Sequence, residues 1–348
     1  MGDPIRGVST RIWTFGLSAI CTVTLASCGG HSSSPTPVPP APPSLTCPAP
    51  VQAISHNGTA PTVTYDTPVG QGGEAPVNTT CTPASGGTFA LGTTTVTCTA
   101  TDARGQSASC TFGVSVSPVP QLVGTRVMAF GDSLTAGTIS PAPTLLMIDE
   151  PGSYPSQLLP MLTARYTDQT ITMVNEGFPG HLAKDDLGRF SEALSEDQPN
   201  IVLLMHGAND LLNLQEAGIS DALQAIDSMV RQANGRGIHV LLATLPPQNP
   251  AGSRGRGAAA LPDFNAGIAH TAELDAVPLV DLYGQMGTYQ GYIGVDGLHP
   301  TEVGYAKIAE IFMKVIKSTL EVPPGAPPTL LPQTTRVQSR TAAASRTR

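Results

Sequence analysis

Cysteine stops early in this chain. The six cysteines are Cys21, Cys28, Cys47, Cys81, Cys98 and Cys110, so nothing beyond residue 110 can form a disulfide or supply a thiol nucleophile. None of them makes a Cys-x-x-Cys pair, which argues against a thiolate zinc site. Charge is scarce as well: 13% of residues are charged and the net charge is −8. Without a basic stripe to meet phosphates, nucleic acid is not an expected partner. A long apolar run is also missing. The stretch 12–26 is broken by Thr14, Gly16, Ser18, Thr22 and Thr24, too short and too polar for a membrane span. Glycine (36) and proline (33) are abundant, as suits a loop-rich exported protein. A hydrophobic content of 40% is enough for a proper core, and 348 residues suggest two domains.

The N-terminus reads as an export signal. Arg6 and Arg11 flank the start of the apolar stretch, which ends in Leu25-Ala26-Ser27-Cys28-Gly29. That ending resembles the bacterial lipobox, in which the cysteine is lipidated and becomes the first residue of the mature protein. The resemblance implies a lipoprotein signal peptide over 1–27, lipidation at Cys28, and an exported, membrane-anchored protein in the periplasm or at the cell surface. The alternative is a plain secretory signal cleaved near Ser27. Residues 28–46, rich in proline and serine, are expected to be a linker.

Residues 47–118 have β character. Val96, Cys98 and Ala100 alternate with threonines, and Cys110, Phe112, Val114 and Val116 alternate with small polar residues. This period of two, with turn signals at Ser85-Gly86-Gly87 and Asp102-Ala103-Arg104-Gly105, predicts a small antiparallel sandwich. The residues Cys81-Thr82-Pro83, Phe89, Gly92-Thr93-Thr94-Thr95-Val96-Thr97-Cys98 and Cys110-Thr111-Phe112 resemble a hyalin repeat (HYR) module. That resemblance implies an immunoglobulin-like β-sandwich without catalysis, serving as a spacer or binding a surface ligand. Its four cysteines allow three pairings. We favour Cys81 with Cys98 and Cys47 with Cys110, which ties the first strand to a late one.

After Pro118-Val119-Pro120 the period changes. Apolar runs of strand length occur at 126–130, 171–174, 201–205, 239–244 and 278–282, with helical patterns between them. Ser220 is positioned to cap a helix ending at Gly235, and Thr301 to cap a last helix carrying Tyr305, Ile308, Phe312 and Val315 on one face. Continuous apolar strands alternating with helices predict a parallel sheet covered on both faces. The Pro-rich tail 321–348, with Arg336, Arg340, Arg346 and Arg348, is expected to be disordered.

Four segments could carry chemistry. The run ending in Phe130-Gly131-Asp132-Ser133-Leu134 would lift a serine to the C-terminal edge of the sheet, where open α/β folds bind ligands. A serine hydroxyl needs a base and an oxyanion donor to act as a nucleophile. Asp296-Gly297-Leu298-His299-Pro300 can place a carboxylate beside an imidazole and fix its tautomer. His206-Gly207-Ala208-Asn209-Asp210 offers an amide donor at the same edge. Asn175-Glu176-Gly177-Phe178-Pro179-Gly180 offers a bare backbone N–H. Each segment also has a plain structural reading, as a turn, a helix cap or a loop that needs glycine. His181 and His206 lie close enough in sequence to touch substrate, or to serve in a loop or in packing. Asp132 and Asp210 are expected to brace their turns, and His239 and His270 to be structural. The loop 139–152, with Asp149 and Glu150, and the loop 246–262, with Arg254 and Arg256, are candidates for shaping a pocket.

Together these four segments, in this order, resemble the SGNH (GDSL) hydrolase family over 124–320. The resemblance implies a flavodoxin-like α/β domain with a five-stranded parallel sheet, acting without metal or cofactor. It also implies a catalytic triad of Ser133, His299 and Asp296, with an oxyanion hole formed by Ser133, Gly180 and Asn209. Gly177 is the rival for the glycine position. The expected reaction is hydrolysis of carboxylic esters of lipid, aryl or acetyl type through an acyl-serine, on a small ester or an acylated glycan or lipid. The same residues suit a carbohydrate O-acetyl esterase or an acyltransferase. A different class, a surface adhesion protein working through the HYR-like module, would leave this set without a purpose.

Overall fold

The strongest sequence signal, the alternation in 92–118, becomes a pair of long strands. The structure is a computed structural model and describes residues 38–322, Asn57 excepted. The signal 1–27, Cys28 and all of the tail after Val322 lie outside the described residues. From Pro42 onward the described residues belong to one compact unit, and 38–41 carry no regular secondary structure.

The β module holds β1 (Val51–Ser55), β2 (Thr62–Val63), β3 (Asn78–Thr82), β4 (Gly87–Thr88), β5 (Gly92–Thr101) and β6 (Ser107–Pro118). Four of them form a sheet in the order β1-β6-β5-β3, while β2 and β4 pair separately. Val96, Cys98 and Ala100 of β5 and Phe112, Val114 and Val116 of β6 point into the core, and Tyr65 meets Phe112 edge-on at 4.9 Å. One expectation is corrected: the sheet is not wholly antiparallel, because β1 runs parallel to β6. The chain comes back to β1 only after crossing the whole module, so no hairpin constrains that pair to run antiparallel. The disulfides are Cys47–Cys110 and Cys81–Cys98, the favoured pairing. Cys81 and Cys98 face each other across β3 and β5.

After β7 (Gln121–Leu122) the second domain begins with β8 (Arg126–Gly131) and the short helix α1 (Ser133–Ala136). The hairpin β9 (Thr138–Ala142) and β10 (Leu145–Ile148) follows, then α2 (Tyr154–Arg165), β11 (Thr172–Gly177) and α3 (Leu187–Glu196). The chain continues through β12 (Ile201–Met205), α4 (Ala208–Leu214), α5 (Ile219–Gly235), β13 (His239–Ala243) and α6 (Leu261–Leu274). It ends with β14 (Leu279–Val280), α7 (Leu282–Met286), α8 (Glu302–Thr319) and β15 (Glu321–Val322). The five-stranded sheet is all parallel, in the order β11-β8-β12-β13-β14. This is flavodoxin-like topology, with the first strand of the domain flanked by the second and the third. The chain therefore leaves β8 in one direction for β11 and returns on the other side for β12. A crevice opens above the carboxyl end of β8, and Ser133 stands there.

β12 is apolar and buried throughout, and β8 is buried from Val127 onward, because helices cover the sheet; Tyr154 of α2 stacks on Phe312 of α8 at 5.0 Å. Thr301 caps α8, its hydroxyl accepting from Gly304 N, as the sequence predicts. Ser220 does not cap α5: a 3₁₀ turn over Gln215–Gly218 feeds directly into the helix, which starts earlier, at Ile219. The expected loop 139–152 is largely the β9–β10 hairpin. The tail begins later than position 321, since Glu321 and Val322 pair with β7.

Candidate active site

The site is assembled from turns at the carboxyl ends of β8, β11 and β12 and from the loop before α8. At the end of β8, Asp132 caps α1. Its Oδ1 accepts from Leu134 N at 3.0 Å and its Oδ2 from Ala208 N at 3.1 Å. One buried carboxylate thus braces its own turn and the turn after β12. Asp210 plays the corresponding part from the other side, its Oδ2 accepting from Ala183 N at 3.0 Å. Burial pushes the Asp210 carboxyl up to about 6, and its Oδ1 has no partner among the described residues.

His299 is held by the turn that carries it. Asp296 Oδ1 accepts from the backbone N–H of Leu298 and His299, and Asp296 Oδ2 lies 2.6 Å from His299 Nδ1. With Nδ1–H donating to the carboxylate, Nε2 is left as an acceptor. Ser133 Oγ lies 2.9 Å from it and donates. All three side chains are buried. Burial alone would raise the Asp296 carboxyl, but hydrogen bonds from His299 and Leu298 outweigh it, and the group stays below its ordinary range. The loop 246–262 clamps this turn from outside: Asn249 N donates to Gly297 O and Arg254 N to Asp296 O.

Ser133, His299, Gly180 and Asn209 line one cavity of 390 Å³. Gly180 and its rival Gly177 are separated by packing. A Cβ on Gly177 would lie 2.1 Å from Ala136 N, and its N–H is taken by Asn175 Oδ1, so Gly177 serves close approach to α1. Gly180 has φ +86°, open space where a Cβ would stand, and an N–H without a partner among the described residues. The Ser133 N–H is likewise unpaired there, as the first N–H of a helix is. Asn209 Nδ2 donates one hydrogen to His181 O at 3.0 Å, leaving a second. Three residues that each keep an uncommitted N–H among the described residues therefore line the cavity that holds Ser133 and His299. Arg254 is also at its wall; Asp149, Glu150 and Arg256 are not.

His206 does not line the cavity. It is buried away from the cavity, with Nδ1 accepting from Gly207 N at 2.8 Å and Nε2 donating to Asp186 Oδ2 at 2.8 Å. His181 is partly exposed beside Phe178 and bonds Asp186 Oδ1 at 2.6 Å. Sequence reasoning missed Asp186 and Arg189, which complete this cluster. Arg189 bonds both carboxylate oxygens of Asp186 and also donates to Gly131 O and Glu176 O. Burial raises the Asp186 carboxyl, but hydrogen bonds from His206, Arg189 and His181 overcome it and hold the group far below its usual range. Nothing in the sequence around Asp186 and Arg189 separates them from ordinary charges at the start of an amphipathic helix.

The HYR domain matches residues 40–116. A lipase/acylhydrolase from Enterococcus faecalis is 22% identical, over 58% of this chain and 99% of that one, with a TM-score of 0.49. The acetylxylan esterase Axe2 from Geobacillus stearothermophilus is 20% identical, over 56% of this chain and 96% of that one, with a TM-score of 0.46. The curated proteins returned no match. The GDSL-like lipase/acylhydrolase family matches residues 129–307, more than half of the sequence, and the chain belongs to that family of ester-bond hydrolases.

Proposed function

We propose that this hydrolase cleaves carboxylic esters through an acyl-serine intermediate on Ser133. The observation that carries the reading is the relay from Ser133 Oγ to His299 Nε2 and from His299 Nδ1 to Asp296, at 2.9 and 2.6 Å. Ser133 Oγ attacks the ester carbonyl and its proton passes to His299 Nε2. The carbonyl oxygen becomes an oxyanion, met by the N–H groups of Ser133, Gly180 and Asn209; one such donor is worth about 10²–10³ in turnover. The tetrahedral intermediate collapses, the carbon–oxygen bond to the alcohol breaks, and His299 returns the proton to the departing alcohol. Water then enters, loses a proton to His299 and attacks the acyl carbon. The acid leaves and Ser133 regains its proton. Asp296 stays ionised throughout, steadying the imidazolium and its tautomer. An alkyl fluorophosphonate should add once per molecule, at Ser133, as read by intact mass and peptide mapping. Labelling at another residue, or undiminished labelling of Ser133→Ala, would overturn the assignment.

We also propose that the enzyme works outside the cytoplasm, anchored through Cys28. The two disulfides support an oxidising compartment, and the lipobox-like residues around Cys28 support the anchor. In a bacterial host, labelled palmitate should enter the full-length protein and be lost in Cys28→Ser. Equal incorporation in the two would exclude that site.

A further inference from the structure

Resting on Ser133 as the acylated residue, we propose that β10 is the wall of an acyl-chain subsite, and that the substrates are esters of unbranched acids longer than acetate. The strand Leu145–Ile148 has four apolar residues in succession, and every one is exposed. A strand over a core would alternate; this one covers nothing. The register slips between Leu145 and Met147, a bulge-like irregularity that breaks the alternation of faces. Leu146, Met147 and Ile148 all border the cavity that holds Ser133 and His299.

The wall is fixed in place. Tyr305 OH donates to Thr138 O at 2.6 Å at the base of the hairpin, and Asp149 N donates to Gly137 O at 2.9 Å on the far side of that base. At the tip, Ser253 Oγ donates to Pro143 O at 3.0 Å. An open apolar edge invites pairing with other chains, so such a strand needs an occupant. Its continuity with the reacting serine identifies one. With the carbonyl oxygen among the donors of Gly180 and Asn209, an acetyl group ends near the serine, whereas a longer chain runs on along the three apolar side chains. A cavity of 390 Å³ is within the range that holds small organic ligands.

The test compares kcat/KM for p-nitrophenyl acetate, butyrate and hexanoate, each kept below its aggregation concentration. Burial of each added methylene should raise kcat/KM by about two- to fourfold, so hexanoate should exceed acetate by on the order of 10². In Leu146→Ser/Met147→Ser/Ile148→Ser the hexanoate-to-acetate ratio should fall by at least about tenfold. Both esters meet the same protein sample, so any unfolded fraction cancels from the ratio. A wild-type ratio at or below one, or an unchanged ratio in the triple variant, overturns the subsite. So does a flat profile on soluble esters with activity raised only by phospholipid vesicles, which would assign the hairpin to a lipid surface. Ester hydrolysis that survives in Ser133→Ala would instead overturn the acyl-serine reading on which the subsite rests.

Discussion

Ser133→Ala is expected to lower ester turnover by about 10⁶-fold, and adding His299→Ala to it is expected to cost almost nothing more. The reason lies in the geometry at the end of β8. Ser133 Oγ donates to His299 Nε2 across 2.9 Å, so in the proposed reaction bond formation to the acyl carbon and loss of the hydroxyl proton form a single event. Without the oxygen the imidazole has no proton to take; without the imidazole the hydroxyl keeps its proton and is a poor nucleophile. Either deletion removes the same step. What survives in each is binding plus the N–H donors around Gly180 and Asn209, enough for about 10³–10⁴ over the reaction in water. Independent contributions would instead multiply to a rate far below the spontaneous one. The measurement is kcat for both single variants and the double variant on one activated ester. Losses that multiply, or a Ser133→Ala enzyme within tenfold of wild type, would show that the two groups do not share a step.

Much of this arrangement is legible in the linear sequence, for identifiable reasons. Ser133, Asn209 and Gly180 each follow a strand of a parallel sheet, so each is delivered to the same edge by topology alone. Asp296 and His299 are three residues apart in one turn, so their contact is local. The β5 and β6 alternation survives because each strand buries one face. What stayed hidden depends on contacts that no local pattern encodes. Ser220 is not a cap because the 3₁₀ turn Gln215–Gly218 runs straight into the helix, so Ser220 already lies within its first turn. The β9–β10 hairpin was concealed because β10 buries neither face and so lacks alternation. The parallel pairing of β1 with β6 joins residues more than sixty apart and leaves no trace in either strand. His206 looked available because it adjoins Gly207, yet its ring turns inward toward Asp186, twenty residues away.

That inward turn points to one carboxylate, Asp186, behind the three proposed oxyanion donors. The Asp186 carboxylate accepts four hydrogen bonds, two on each oxygen, from His181, His206 and two nitrogens of Arg189. Each partner leads to one donor. Arg189 Nη2 reaches Gly131 O, just before the Ser133 turn. His181 follows Gly180, and its carbonyl accepts from Asn209. His206 accepts from Gly207 N, where the Asn209 turn begins. Asp186→Asn keeps the shape but turns N–H groups toward donors and leaves the Arg189 charge with only the longer contact to Glu176 Oε2 at 3.5 Å. Breaking a buried pair in this way should destabilise the protein by about 3–5 kcal/mol, read by urea unfolding. In the fraction that stays folded, kcat should fall by about 10²-fold with KM little changed, because misplaced donors weaken the transition state more than substrate binding. The sign with pH follows from the depressed carboxyl. Its stabilisation is full above the unfolded value near 3.9 and is lost as pH falls toward the folded one. The stability gap between wild type and Asp186→Asn should therefore narrow progressively below about pH 4. A variant as stable as wild type at pH 7, or one that loses stability while keeping kcat, would detach this carboxylate from the oxyanion donors.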